Sequence, residues 1–480
     1  MAVLEGVKPE RVFYYFEQLA GIPRPSHHEK AVSDYLVAFA KEHGLEYYQD
    51  GLFNVIIIKE ASAGYEEKEP LILQGHMDMV AERTPDCQKD MEKEGLELYI
   101  DGDFVKAKGT TLGADDGIAV AMALAILEDE SLRHPRLEFV CTVCEEVGMG
   151  GAAGIDVSML KGHTLLNIDS EGEGSCLASC AGGGLIKISL PLVREDLQGR
   201  RTFEIKVSGL KGGHSGMEID KGRANANMLL ARILRGVFSE FSFRLVDFHG
   251  GMKDNAIPRE AVAVIAVAKE NIDRLKETVE QSAESVSRIF ASADPDVKVT
   301  LRETNEGGRP VLRGMTRKIL ALILSMPNGV IRMSDDMPGM VETSINLGIL
   351  SMGDRSFNLS YAPRSSSKTA FKVMCDEMHF IADHAGARYE LVNTYPAWEF
   401  RRDSALRDKM CRIYKEMFGR DFKVESVHAG VECGLFAGKI EGLDAVAMGP
   451  DMFDIHTPQE RLSIASTERT YNFVRAVIEG

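Results

Sequence analysis

Apolar residues recur at helical spacing through residues 9–44, broken at Gly21-Ile-Pro-Arg-Pro-Ser26, and predict two amphipathic helices around that break. Strand-like apolar runs follow at Asn54–Lys59, Pro70–Gln74, Leu137–Cys144 and Thr164–Ile168. Between them, Gly117–Asp129 is rich in Ala and Leu with helical periodicity. Strands alternating with helices predict an α/β domain with a central mixed, largely parallel sheet flanked by helices. Sheets of that kind place their sites at strand ends and the loops that follow.

The pattern changes at Cys180-Ala-Gly-Gly-Gly-Leu185. From there to about Thr394, strands are expected at Leu185–Leu190, Phe203–Val207, Ala261–Ala268, Val297–Leu301 and Thr343–Leu350. Helices are expected at Ala224–Arg235, Ile272–Phe290, Thr316–Leu324 and Ser367–Ala385. After Tyr395-Pro-Ala-Trp398 the chain reads as α/β again and closes on a helix. The economical organisation is one domain built from residues 1–184 and 398–480, with an α+β domain, 185–397, inserted into it.

A chain of 480 residues exceeds one ordinary domain, which agrees with that division. The formal net charge of −17 argues against nucleic acid and anionic membranes as partners. No run stays apolar for the roughly 18 residues of a membrane-spanning helix, and the N-terminus lacks the apolar core of a secretory signal. The scattered cysteines fit reduced thiols in a cytoplasmic protein. Cys141 and Cys144 fall three apart on a predicted strand, where their side chains face opposite ways and cannot share an ion.

Five potential metal ligands stand in five short motifs. They are His76 in Gly-His-Met-Asp-Met, Asp115 in Leu-Gly-Ala-Asp-Asp-Gly, Glu146 in Cys-Glu-Glu-Val-Gly-Met-Gly, Asp169 in Asn-Ile-Asp-Ser-Glu, and His456 in Asp-Ile-His-Thr-Pro. Two imidazoles and three carboxylates hold two divalent ions when one carboxylate bridges, and such a pair activates water for amide hydrolysis. Asp78, two residues beyond His76 on an extended segment, shares its face and is placed to accept the other imidazole N–H. Asp116 is suited to cap the helix that follows it, leaving Asp115 for the ions. Of the two acids ending a core strand, Glu146 is assigned as ligand and Glu145 as general base.

In this order the motifs resemble those of the di-zinc exopeptidases, which include carnosinases, bacterial tripeptidases and acyl-amino-acid deacylases. The closer similarity is to the bacterial aminoacyl-histidine (Xaa-His, or cytosol non-specific) dipeptidases, and it covers nearly the whole chain. Lys211–Ile219, Asn255–Glu260, Pro327–Arg332 and His428–Phe436 carry it further. The resemblance implies one ion on His76 and Asp169, the other on Glu146 and His456, and Asp115 between them. It implies Asp78 orienting His76, Glu145 shuttling a proton, and His214 holding the oxyanion. Asn255 and Arg364 look like groups that grip the peptide and its carboxylate, and Glu432 is placed to meet the free amine. Zinc is the expected ion, with manganese or cobalt compatible. The inserted domain is then a lid that also joins a homodimer, and dipeptides are the substrate. An N-acyl-amino-acid deacylase or a tripeptidase is the alternative within the family. A non-catalytic metal- or peptide-binding protein is the alternative outside it, and Glu145, which is no ligand, tells against that.

Overall fold

The computed structural model describes residues 2–196, 199–305 and 308–480. It divides into two compact units: Met1–Ser179 with Phe400–Ser426 and Val431–Gly480, and Cys180–Glu399 with Val427–Gly430.

An eight-stranded sheet organises the first unit, in the order Glu46–Gln49, Val55–Lys59, Leu137–Thr142, Leu71–His76, Thr164–Asn167, Asp444–Ala447, Ser175–Cys180 and Lys423–Val427. The third to sixth of these run parallel, and antiparallel pairing flanks them. Leu71–His76 and Leu137–Thr142 are buried at every position, as their mostly apolar sequences suit strands covered on both faces. Register brings His76 beside Thr142, Gln74 beside Asn167, and Asn167 beside Ala447. The parallel strands therefore end level with one another, and the segments after them leave the sheet along one edge.

Glu10–Ala20 and Lys30–Glu42 form the two expected N-terminal helices. The helix expected at Gly117–Asp129 is preceded by a turn from Ala114 in which Asp115 and Asp116 are non-helical, so regular helix starts at Gly117, and the segment is buried from Ala114 to Leu127. A helix apolar on all sides belongs inside a core, and this one packs between the central sheet and the first helix. A small four-stranded sheet pairs Met452–Phe453 with Arg461–Ser463, so that His456 sits in the loop between them.

The second unit contains a nine-stranded antiparallel sheet and the helices Ala226–Glu240, Ile272–Ile289, Arg313–Ser325 and Lys368–His384, packed into a separate core. Four strands of that sheet, Arg244–Gly250, Gly329–Met333, Ser356–Ser365 and Arg388–Tyr395, escape the apolar-run pattern. Three of them are largely half-buried or exposed, and in the mostly buried Ser356–Ser365 polar residues such as Ser360, Arg364 and Ser365 interrupt the run. The change of unit falls at Ser179/Cys180 and Glu399/Phe400, a few residues from the positions read in the sequence. Backbone bonds explain the shift: Cys180 pairs with Trp398, and the Ala181 N–H donates to Val427 O. Among the described residues no helix is long and apolar enough to cross a membrane.

Candidate metal centre

His76 is the last residue of its strand. Glu145 and Glu146 follow Leu137–Thr142, and Asp169 follows Thr164–Asn167. Asp115 stands at the entrance to helix Ala114–Glu128, where it and Asp116 have non-helical backbone and are joined by a cis peptide bond. His456 has a φ of 61°, a left-handed conformation rare for a non-glycine residue and frequent at functional turns.

These five residues converge. His76 Nε2 lies 3.1 Å from Asp115 Oδ1 and 3.6 Å from Asp169 Oδ1. His456 Nε2 lies 3.1 Å from Asp115 Oδ2 and 2.9 Å from Glu146 Oε2. Asp115 thus presents one oxygen to each imidazole, with Asp169 on one side and Glu146 on the other. Glu146 Oε1 is buried with no hydrogen-bond partner. The donor types and this divided carboxylate fit a pair of divalent cations.

Asp78 approaches His76 Nδ1 at 3.4 Å, and its oxygens also accept from the backbone N–H of Glu145 (3.1 Å) and Glu146 (3.4 Å) and from the Ser26 hydroxyl (2.8 Å). It therefore ties the His76 segment to the Glu145–Glu146 turn as well as facing the imidazole. Asp116 does not cap its helix. Its Oδ2 accepts the backbone N–H of His76 at 3.2 Å, since the helix packs directly against that strand. Gly75 permits the approach: a Cβ there would stand 2.5 Å from Asp116 Oδ2 and 2.8 Å from Ala119 Cβ. Cys144 lies beyond the end of its strand, at a φ of 53°, and its thiol faces Glu29 and His27. The opposite-face argument for Cys141 and Cys144 therefore does not apply, although both are free thiols.

The electrostatics reflect crowded acids. Burial raises Glu145, and the charges of Asp169, Glu432 and Glu146 raise it further against the pull of His76. Burial likewise raises Asp116 and Asp169. Hydrogen bonds that its imidazole donates to Asp115 and Glu146 carry His456 up to about 10. In each case the proton supplies positive charge that a cation would otherwise bring.

His214, Asn255 and Arg364 belong to the second unit. His214 Nδ1 accepts from the backbone N–H of Gly216 (3.3 Å) and Met217 (3.1 Å), which leaves the imidazole proton on Nε2. Burial and the neighbouring Arg364 charge lower its pKa and keep it neutral. Arg364 is buried and donates to Tyr395 Oη at 3.0 Å. The backbone carbonyl of Asn255 accepts from the Ser215 N–H, beside His214. His428, lowered to about 4 by burial and by Arg364, bonds Ser344 Oγ through Nε2.

Residues 72–480 match the model of peptidase family M20/M25/M40. The chain is 37% identical to the cytosol non-specific dipeptidase of Escherichia coli strain K12 over 480 residues, 100% of this chain and 99% of that protein. The chain belongs to peptidase family M20/M25/M40. Its structure superposes on aminoacylhistidine dipeptidase from Vibrio alginolyticus with a TM-score of 0.95 and 35% identity, covering 99% of this chain and 97% of that one. A tripeptidase from Staphylococcus aureus shares the fold at a TM-score of 0.55 and 16% identity, with 98% of each chain covered.

Two supporting groups in this M20 peptidase, Gln74 and Glu29, escaped the motif reading. Glu432 is fully buried, and its Oε2 accepts from Gln74 Nε2 (2.6 Å) and Thr142 Oγ1 (2.7 Å), a setting unlike the open wall expected of a group meeting a substrate's amine. Gln74 interrupts an otherwise apolar strand, which was its sequence signal. Glu29 accepts the backbone N–H groups of His27 (2.9 Å) and Cys144 (3.0 Å). Its signal was the Ser-x-x-Glu spacing from Ser26 at a helix entrance.

Proposed function

We propose that the protein is a metal-dependent dipeptidase whose centre is built on His76, Asp115, Glu146, Asp169 and His456. The observation that carries this reading is the division of the Asp115 carboxylate between the two imidazoles, 3.1 Å on each side. The full-length likeness to two proteins named as dipeptidases gives the substrate class.

His76 and Asp169 would hold one ion, Glu146 and His456 the other, and Asp115 both. Zinc suits these ligands best, with manganese or cobalt compatible. When bound, the ions lower the pKa of water toward about 7 and polarise the substrate carbonyl. Glu145 accepts the proton of the attacking water and delivers it to the leaving amine nitrogen. Asp78 holds His76 and, through the amides of Glu145 and Glu146, the base itself. Glu432 supports the centre from beneath, bonded to Gln74 and Thr142.

His214 serves as oxyanion donor through its Nε2 proton, a contact worth about 3–4 kcal/mol in the transition state. Arg364 takes the substrate carboxylate with its planar fork, and Asn255 the peptide. These three roles rest on family resemblance together with each group's own chemistry. A homodimer joined through the second unit, and a place in the cytosol, complete the reading.

The test is hydrolysis by the metal-reconstituted protein of an Xaa-His dipeptide, Gly-Leu, a tripeptide and an N-acyl amino acid. Cleavage of the dipeptides alone is expected. Cleavage of only the acyl amino acid moves the protein to the deacylases, and inactivity with two ions bound overturns the catalytic reading.

A further inference from the structure

Two charged side chains lie almost wholly buried against the Asp115 turn and stand outside the donor set. Arg24 is 2% exposed and Glu460 3%. Burying such groups is costly, and a buried ion pair seldom improves on apolar packing of the same volume, so stability is a poor reason for their presence. Fixing one geometry among several is a better-attested use.

Their hydrogen bonds show which geometry. Glu460 collects four consecutive backbone N–H groups: Oε2 accepts from Leu112 (2.7 Å) and Gly113 (3.0 Å), and Oε1 from Ala114 (2.8 Å) and Asp115 (3.4 Å). Those amides lead into helix Ala114–Glu128, where backbone N–H groups lack intrahelical partners. Arg24 reaches the same turn through a carbonyl. Nη2 donates to Gly113 O at 2.5 Å, while Nη1 donates to Met77 O (2.9 Å) and Asp78 O (3.2 Å). The guanidinium fills space that side chains would need: a Cβ on Gly113 or Gly117 would stand 2.7 or 2.4 Å from Arg24 Nη2.

Arg24 therefore ties the His76–Asp78 segment to the Asp115 turn. Glu460 ties that turn to the loop carrying His456, four residues before it. Gly113 is held through both its flanking peptides, its C=O accepting from Arg24 and its N–H donating to Glu460. Within this network Asp115 holds one oxygen toward each imidazole.

We infer that Arg24 and Glu460 are positioning residues that fix Asp115 between His76 and His456 and so set the spacing of the cation pair. The inference rests on the two-cation reading of the site. Sliding of the turn toward either imidazole would favour one ion at the expense of the other, and the two clamps oppose it from opposite directions.

The test uses the full-length protein with Glu460→Gln and Arg24→Lys, loaded with Co2+ alone. Glu460→Gln replaces an accepting oxygen by a donor that faces N–H groups. Arg24→Lys keeps the charge and loses the fork that spans two segments. Each variant is expected to keep the wild-type circular dichroism, to bind one cobalt as the wild type does, and to bind the second about 10–100-fold more weakly. The magnetic coupling between the cobalt ions, read by electron paramagnetic resonance, should weaken at equal loading. That signature would not move if the two residues only stabilised the fold. Wild-type protein that holds fewer than two ions overturns the two-cation reading itself. Wild type with two ions, beside folded variants of unchanged affinity and coupling, overturns the positioning role alone. If Glu460→Gln does not fold, Arg24→Lys decides; if neither folds, their role is general stability and the inference falls.

Discussion

Nε2 of His456 lies 3.1 Å from Oδ2 of Asp115, across 341 residues of chain. The other oxygen of that carboxylate meets His76 at the same distance. Asp115→Asn turns one of these oxygens into an N–H2 donor, which cannot bind a cation. The variant should retain at most one ion, with an affinity loss beyond the roughly 10–100-fold that supporting residues are worth. Metal analysis after dialysis checks this, and two tightly held ions would contradict it.

Glu145 faces a different expectation, because it is assigned to the proton and not to the metal. Glu145→Gln should bind both ions and lower kcat by about 10²–10⁴-fold. Near-normal turnover with both metals verified would sink its role as base.

His214→Ala should lower kcat by about 10²–10³-fold and move KM less, since the Nε2 proton is assigned to charge that develops only in the transition state. An unchanged kcat with a raised KM would assign the residue to substrate binding instead.

Stability should depend on pH differently with and without metal. Burial, then mutual repulsion, raises Glu145, Asp169 and Asp116 in the fold, and His456 is raised to about 10. The folded state holds these protons more tightly than the unfolded chain. Their contribution is therefore complete below the unfolded values, about 4 for the acids and about 6.5 for histidine, and is lost as pH rises through the folded ones. Asp78 is lowered, its bonds to His76, Ser26 and the Glu145 amide outweighing burial, so it acts oppositely, near and below about pH 4. The metal-free protein should show a Tm that falls from about pH 5 to about pH 10, while two bound zinc ions flatten the curve. A metal-free Tm that rises over that range would refute this account.

Gly75→Ala tests the close approach of helix to strand. The added Cβ meets Asp116 Oδ2 and Ala119 Cβ inside contact distance, so a destabilisation of about 1–3 kcal/mol is expected. Calorimetry of the metal-free variant and wild type checks it, and an unchanged transition would show that the helix can move aside.

Much of this protein was determined locally. The apolar runs Leu71–Gln74 and Leu137–Thr142 could satisfy their backbone and bury their side chains only as inner strands, and acids directly after such runs announce a strand-end site. His76, Asp115, Glu146, Asp169 and His456 stand out as candidates because each sits in a short glycine-, acid- or proline-marked motif, and the fold brings all five together. Tertiary structure alone decided the rest. Whether Asp116 capped a helix or bound the His76 amide depended on a helix packing within reach of Gly75. The motif around Glu432 suggests a group that meets a substrate's amine; its full burial and its bonds from Gln74 and Thr142 exist only in the fold. Arg24 and Glu460 carry no motif whatever, because a side chain that collects backbone N–H or C=O groups recognises main chain, which is the same in every sequence. The chain wrote down the chemistry it carries; the convergence of segments remote in sequence set the distances at which that chemistry stands.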